Sequence, residues 1–308
     1  MKKLNVAVIG VGYLGRFHAQ KYAAMEDVEL VAVADIDEKR AAEIAREVDS
    51  SPYSQVAGLM DTLDAVSIAV PTTSHARVAI PFLENGISVL LEKPISAEIP
   101  EAKAIIDAAR QGNALLQIGH LERFNPALLK LQDDIQHPMF IEGHRISPFK
   151  ERGIDVDVIT DIMIHDIDII LALVKSPIAS VEAIGVPVLT DDVDIANARV
   201  RFESGCIANL TASRVSADVM RKIRIFQSNA YISIDFAKAA VDIYTLADNK
   251  QIKHNHLAMS ESDALAAEIR SFIDCVKNNS PVMVDGPAGL RAIEVAHTIK
   301  DAMFVHKR

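Results

Sequence analysis

The sequence predicts an α/β protein of two domains. Residues 1–120 should form a parallel sheet covered on both faces, and residues 121–308 an α+β domain with an open, mainly antiparallel sheet. Three observations carry this expectation. In the first third of the chain, short apolar runs alternate with helical patterns, the rhythm of a parallel sheet. In the last half, consecutive strand patterns are joined by hairpin-length links such as Glu203-Ser204-Gly205, which means antiparallel pairing. The composition agrees: half of the 308 residues are apolar and 24% are charged, enough for sizeable cores and too apolar for disorder.

Residues 4–9 are an apolar run that ends in glycine, the pattern of a strand buried on both faces. Residues 13–25 then read as a helix, 28–34 as a second buried strand and 38–47 as a charged helix. A strand at 65–70, a helix at 76–84 and a strand at 88–91 continue the alternation, and a helix at 97–111 leads out of the unit. The later strands are expected at 178–188, 195–202, 206–216, 222–228, 231–236 and 241–246. Helices at about 156–173, 262–277 and 286–305 are expected to cover one face of their sheet.

A net charge of −10 argues against nucleic acid or an anionic membrane as a general partner, though local arginines could still hold a small anion. Cys206 and Cys275 stand apart from other metal-ligand types and read as reduced thiols of a cytoplasmic protein. The apolar run after Met1-Lys2-Lys3 is broken at once by Gly10 and Gly12, so neither a signal peptide nor a membrane span is expected.

Gly10, Gly12 and Gly15 form a G-x-G-x-x-G between a strand and a helix. The first glycine allows a tight turn, the second lets the backbone approach a pyrophosphate, and the third allows close helix–strand packing. This is the fingerprint of a Rossmann dinucleotide-binding unit. Asp35 follows Gly15 by twenty residues at the end of the second strand, where a carboxylate can accept both ribose hydroxyls of NAD and repel the 2′-phosphate of NADP. It could instead cap the next helix, although Asp37 is better placed for that task. No arginine adjoins Asp35 in sequence, and Lys39 and Arg40 lie one turn on.

Three later segments suggest chemistry. Val70-Pro71-Thr72-Thr73-Ser74-His75 follows a strand at the sheet edge where such folds bind ligands. Thr72 and His75 are candidates to touch the nicotinamide ribose, and Thr73 or Ser74 could cap the next helix. Glu92-Lys93-Pro94 puts a lysine at the mouth of the sheet, where desolvation could lower its pKa. Asp157, Asp161, His165 and Asp168 recur at spacings of four, four and three on a helix that is otherwise almost wholly apolar, so the stripe is expected to line a cavity. An aspartate one turn from a histidine suits proton transfer. Asp161 and His165 could also share a metal ion, but no third soft ligand accompanies them and no metal is expected.

These motifs in this order resemble the glucose–fructose oxidoreductase / inositol dehydrogenase (Gfo/Idh/MocA) family across essentially the whole chain. The resemblance implies an NAD-dependent dehydrogenase acting on the CH–OH group of a sugar. Lys93, Asp161 and His165 would meet the reacting carbinol, and the Lys93–Pro94 bond would be cis. The implied cofactor-binding residues are Gly10, Gly12, Tyr13, Leu14, Gly15, Asp35, Pro71, Thr72, His75, Glu92 and Lys93. The second sheet would make the contacts of a homodimer or homotetramer. Gly119-His120-Leu121-Glu122-Arg123-Phe124-Asn125-Pro126, Arg145-Ile146-Ser147-Pro148-Phe149 and Ile164-His165-Asp166-Ile167-Asp168-Ile169 look like the branch that oxidises the 3-hydroxyl of UDP-N-acetylglucosamine. A free sugar or cyclitol such as inositol, or a non-catalytic NAD-binding role, are the alternatives.

In that light Arg123, Asn125, Arg152 and Asp161 are the expected substrate-binding residues, and Arg123, Arg145 and Arg152 could each meet a diphosphate or serve as surface ion-pair partners. His165 is the expected base, with Asp161 stabilising its charged form and Lys93 bonding the developing alkoxide; Lys93 as the base is the alternative. One departure is Thr160-Asp161-Ile162-Met163, where the family commonly has Asp-Leu-Gly before the histidine. Without that glycine the local backbone is expected to differ.

Overall fold

A computed structural model describes residues 3–55, 57–131, 134–149, 157–247, 250–259 and 263–305. The chain divides into two compact units, residues 1–121 with 263–290, and residues 122–262 with 291–308.

The first unit opens with β1 (Leu4–Ile9), α1 (Tyr13–Ala23), β2 (Val28–Ala34), α2 (Glu38–Glu47) and β3 (Ser51–Tyr53). After a 3-10 turn at Ala57–Thr62 come β4 (Ala65–Ile68), a 3-10 turn at Thr72–Ser74, α3 (His75–Glu84), β5 (Ser88–Glu92), α4 (Ile99–Gln111) and β6 (Leu116–Gly119). All six strands pair in parallel in the order β3-β2-β1-β4-β5-β6. The chain order reverses between β1 and β4, so the loops after those strands diverge and leave a crevice at their carboxyl ends. Fully buried Val6, Ala7 and Val8 in β1 and Val89, Leu90 and Leu91 in β5 account for the continuous apolar runs.

The second unit contains a 3-10 turn at Leu121–Phe124, α5 (Pro126–Leu131), β7 (Phe140–Ile146), a π-helical turn at Ile159–Met163 and α6 (Ile164–Val174). Seven strands follow: β8 (Ile178–Val186), β9 (Ile195–Phe202), β10 (Ile207–Ser213), β11 (Met220–Gln227), β12 (Ala230–Asp235), β13 (Ala240–Leu246) and β14 (Ile252–Ala258). Then come α7 (Ala264–Asn278), α8 (Gly286–Asp301) and β15 (Met303–Val305). The nine-stranded sheet runs β14-β13-β12-β11-β7-β10-β9-β8-β15. Its pairings are antiparallel except β7 with β10 and β8 with β15. Burial alternates along β9 and β10, leaving one face of the sheet partly open, while α6 packs against β7 and β10.

Two expectations need correction. The helix at 264–278 does not cover the second sheet: Ile269, Phe272 and Ile273 are fully buried in one core with Val6, Val8, Tyr22 and Leu90. Burying each is worth roughly 2 kcal/mol, so this late helix belongs energetically to the first unit. The helix expected from about 156 is also interrupted: Val156 lies outside the described residues, and the described part begins with a π turn. Strand β7, at the centre of the sheet, was not among the expected strands, because Phe-Ile-Glu-Gly-His-Arg-Ile has a glycine and an arginine on its buried row beside Ile141, which hides the apolar alternation.

Candidate functional site

The glycine loop satisfies three different demands. Gly10 sits at φ +83°, and a Cβ there would lie 2.7 Å from the Ala69 carbonyl oxygen. A Cβ on Gly15 would lie 1.8 Å from the Gly10 carbonyl oxygen, so helix α1 can approach the loop only with glycine. A Cβ on Gly12 would meet nothing within 4 Å, which is the open approach that a pyrophosphate needs. Gly12 is also the N-cap of α1 and supplies no side chain there, so the positive end of the helix faces the cradle. Tyr13 is well exposed and packs edge-on against Phe17, and Leu14 is half-buried.

Asp35 closes the cradle from β2. Its Oδ2 accepts the Val11 backbone N–H at 3.0 Å and its Oδ1 the Asp37 N–H at 2.9 Å. A carboxylate has about four lone-pair sites, so capacity for ribose hydroxyls remains. Asp37, not Asp35, caps α2, accepting from Lys39 and Arg40. The fold does bring an arginine near: Arg40 Nη1 lies 3.8 Å from Asp35 and Nη2 3.5 Å from Asp37, because one helical turn returns it to the strand end. A cleft of about 910 Å³ is lined by Gly10, Gly12, Asp35, Arg40, Pro71 and Ser74 among others. The cradle, the carboxylate and the cleft fit a dinucleotide.

Beside this cleft, Thr72 lies in the 3-10 turn before α3, and Ser74 gives that helix no side-chain cap. His75 is 1% exposed, with Nδ1 2.9 Å from the Pro94 carbonyl oxygen and Nε2 3.0 Å from that of Val70. Burial holds its pKa below the ordinary value against the opposing pull of the two carbonyls, and the ring spans from the end of β4 to the Glu92-Lys93-Pro94 loop. That makes His75 a brace for the loop; it is too deeply buried to touch a cofactor directly. The Lys93–Pro94 bond is cis, and the half-buried Lys93 follows β5 directly.

Glu92 is turned inward. Its Oε1 meets His18 Nε2 at 3.0 Å and its Oε2 accepts the Lys93 N–H at 3.3 Å. The His18 ring continues through Nδ1 to Ser67 Oγ at 3.1 Å, and Ser67 bonds the Tyr22 hydroxyl at 2.8 Å. Burial pushes the Tyr22 phenol above its usual range. Burial, and then the nearby charge of Glu92, push the Glu268 carboxyl well above its ordinary pKa. This relay was not anticipated, since its members come from β4, β5 and α1 and no local spacing connects them.

The residues of the expected stripe lie in the second unit. Asp157 caps the π turn, accepting from Ile159 and Thr160 at 3.0 Å, and pairs with Lys300 at 3.2 Å. The Ile164 N–H returns to the Ile159 carbonyl five residues back, which widens the turn carrying Asp161. Asp161 and His165 are both half-buried across this π-to-α junction. Asp168 Oδ1 lies 3.4 Å from Arg123 Nη1. The π turn changes the angular step per residue between Asp157 and Ile164, while His165 and Asp168 follow on regular helix.

Arg145 is likewise structural. Its guanidinium meets Asp166 Oδ1 and Glu122 Oε1, each at 2.8 Å, and all three side chains are largely buried. Burial opposes the charge on Arg145, but the two carboxylates outweigh it and hold its pKa above the ordinary value. Asn125 Oδ1 caps α5 by accepting the Ala127 N–H at 3.0 Å. Arg152 lies outside the described residues. Among the described residues, no helix is long and apolar enough to cross a membrane.

Comparison with known proteins agrees with this geometry. Residues 4–120 match the model of an oxidoreductase family with an NAD-binding Rossmann fold, and residues 101–233 match the GFO/IDH/MocA C-terminal domain. The chain is 39% identical to a UDP-N-acetylglucosamine 3-dehydrogenase of Acidithiobacillus ferrooxidans over 98% of each chain. The solved structure of that enzyme superposes with a TM-score of 0.93 over 98% of each chain. A scyllo-inositol 2-dehydrogenase (NAD(+)) of Bacillus subtilis is 26% identical over 92% of this chain and 89% of its own. On the glycine cradle, the Glu92-Lys93-Pro94 loop and this likeness along its whole length, the chain belongs to the GFO/IDH/MocA family of NAD-binding oxidoreductases.

Proposed function

We propose that the protein is an NAD-dependent dehydrogenase that oxidises a secondary alcohol of a sugar to a ketone, its substrate the 3-hydroxyl of UDP-N-acetylglucosamine. The 39% identity over 98% of the chain to an enzyme named for that reaction carries the reading. Gly10, Gly12, Gly15 and Asp35 hold the dinucleotide, with Tyr13, Leu14, Pro71 and Thr72 around it and Glu92, Lys93 and His75 shaping the adjoining loop. Bound there, the nicotinamide supplies a hydride acceptor. His165 takes the hydroxyl proton and Asp161 favours the resulting imidazolium. Lys93 donates a hydrogen bond to the alkoxide as charge develops on it. Arg123, Asn125 and Arg152 bind the nucleotide portion of the substrate, Arg123 being oriented by Asp168.

The first unit is thus the cofactor domain and the second the substrate domain. A homodimer or homotetramer through the partly open sheet face, in the cytoplasm, completes the reading. The two buried cysteines without disulfide partners accord with that compartment.

The 26% identity to a scyllo-inositol dehydrogenase supports one rival substrate class. Incubation with NAD and UDP-N-acetylglucosamine, inositol or glucose decides between them. NADH formation from the nucleotide sugar is expected. Turnover of inositol with none of the nucleotide sugar would transfer the assignment to a cyclitol.

A further inference from the structure

The outermost hairpin of the second sheet carries three metal-ligand side chains on one face. His254 and His256 are two apart on β14 and so project to the same side. Asp242 on β13 lies directly opposite His256 in the antiparallel register, with Tyr244 opposite His254. Both rings aim at one carboxylate oxygen: His254 Nε2 and His256 Nδ1 each lie 2.8 Å from Asp242 Oδ1. The three donor atoms fall within 4.8 Å of one another. Zinc–nitrogen and zinc–oxygen bonds of about 2.0–2.1 Å at tetrahedral angles put donors roughly 3.3 Å apart, so small rotations about the side-chain bonds suffice.

The surroundings support the geometry. The His254 ring stacks on Tyr244 with centroids 4.4 Å apart and planes 4° apart. Tyr244 continues a row of stacked rings through Tyr231 and Phe226 across neighbouring strands. This fixes the orientation of one donor ring before any ion arrives. The strand itself lacks an apolar anchor: six of the seven residues of β14 are exposed. Backbone pairing to β13 is what holds this sheet edge, and a cation bridging the two strands would add a second tie.

We propose that Asp242, His254 and His256 form a surface binding site for a divalent transition metal, with zinc as its reference occupant, that clamps edge strand β14 to β13. Two imidazole nitrogens and one carboxylate oxygen select zinc, nickel or copper over magnesium and calcium, which prefer oxygen-only shells. The site is independent of the dehydrogenase assignment, as none of its residues belongs to the proposed catalytic or cofactor set.

The test uses the full chain without a polyhistidine tag, stripped with chelator and titrated calorimetrically with zinc chloride. One zinc per chain should bind, and Tm should rise with zinc. H254A and H256A should each weaken binding about tenfold or more, and the double variant should abolish it. Because these side chains lie at the surface, the variants without zinc should keep the Tm of the metal-free parent. Cobalt provides a second reading: visible bands of tetrahedral intensity in the parent should be missing from the double variant. No zinc binding by the parent, retention of it in the double variant, or equal competition by magnesium would overturn the proposal.

Discussion

The two units position their polar groups by different means. In the first, the backbone does the work: a glycine at φ +83°, a helix start without a side-chain cap, and a carboxylate held by two backbone N–H groups. Behind it lies a relay of His18, Ser67 and Tyr22, ending on Glu92. In the second unit, buried charges do it: Arg145 between Asp166 and Glu122, and Arg123 against Asp168. The contrast teaches where each half is vulnerable. A backbone-built site fails by steric intrusion, and a charge-built site fails when one partner is lost.

The largest effect is expected in the charge-built half. Arg145→Met leaves Asp166 and Glu122 buried and unpaired, which should cost about 3–5 kcal/mol of stability. Chemical denaturation of the variant measures it, and a loss under about 1 kcal/mol would mean that water reaches the triad.

The glycines sharpen the other half. Gly15→Ala drives a Cβ into the Gly10 carbonyl and should destabilise by about 1–3 kcal/mol. Gly12→Ala meets open space, so stability should change by less than about 0.5 kcal/mol while NAD affinity falls. Equal stability losses in the two variants would end the distinction between a packing glycine and a ligand glycine.

How far the chain could be read follows from the same contrast. The glycine cradle, Asp35 and the Lys93 loop were legible because each is a short motif attached to a strand end. The Arg145 triad was not, because Glu122, Arg145 and Asp166 lie on three elements about twenty residues apart, where local periodicity carries no signal. In sequence Arg145 accordingly read equally as a diphosphate ligand or a surface ion-pair partner, and it is a buried ion-pair partner. The π turn was anticipated only as a departure at Thr160–Met163, since local spacing does not mark where a backbone N–H reaches back five residues instead of four. Helix α7 resembled a cover for the nearer sheet, but its apolar face belongs to the core around β1 and α1. Strand β14 was overlooked because its polar sequence reflects an exposed edge.

A further effect is pH-dependent. Glu268 has its folded pKa raised by burial, so at pH below about 4.3 both folded and unfolded states hold the proton and stability is complete. As pH rises toward the raised folded value, the unfolded state releases its proton first and stability falls. Glu268→Gln removes that slope, so the variant should gain in Tm over the parent from pH 5 to pH 8. A constant difference across that range would mean that burial does not raise the Glu268 pKa.

The central claim is that the backbone-built half binds the cofactor while Lys93 and His165 act on a sugar carbinol. Measuring NADH formation from UDP-N-acetylglucosamine, with NAD affinity determined on the same preparations, tests it most directly. The parent should turn over; Lys93→Ala and His165→Ala should each lose about 100-fold or more in kcat with NAD affinity nearly unchanged. Undiminished turnover in either variant, or a parent that binds NAD and oxidises no sugar, would contradict it.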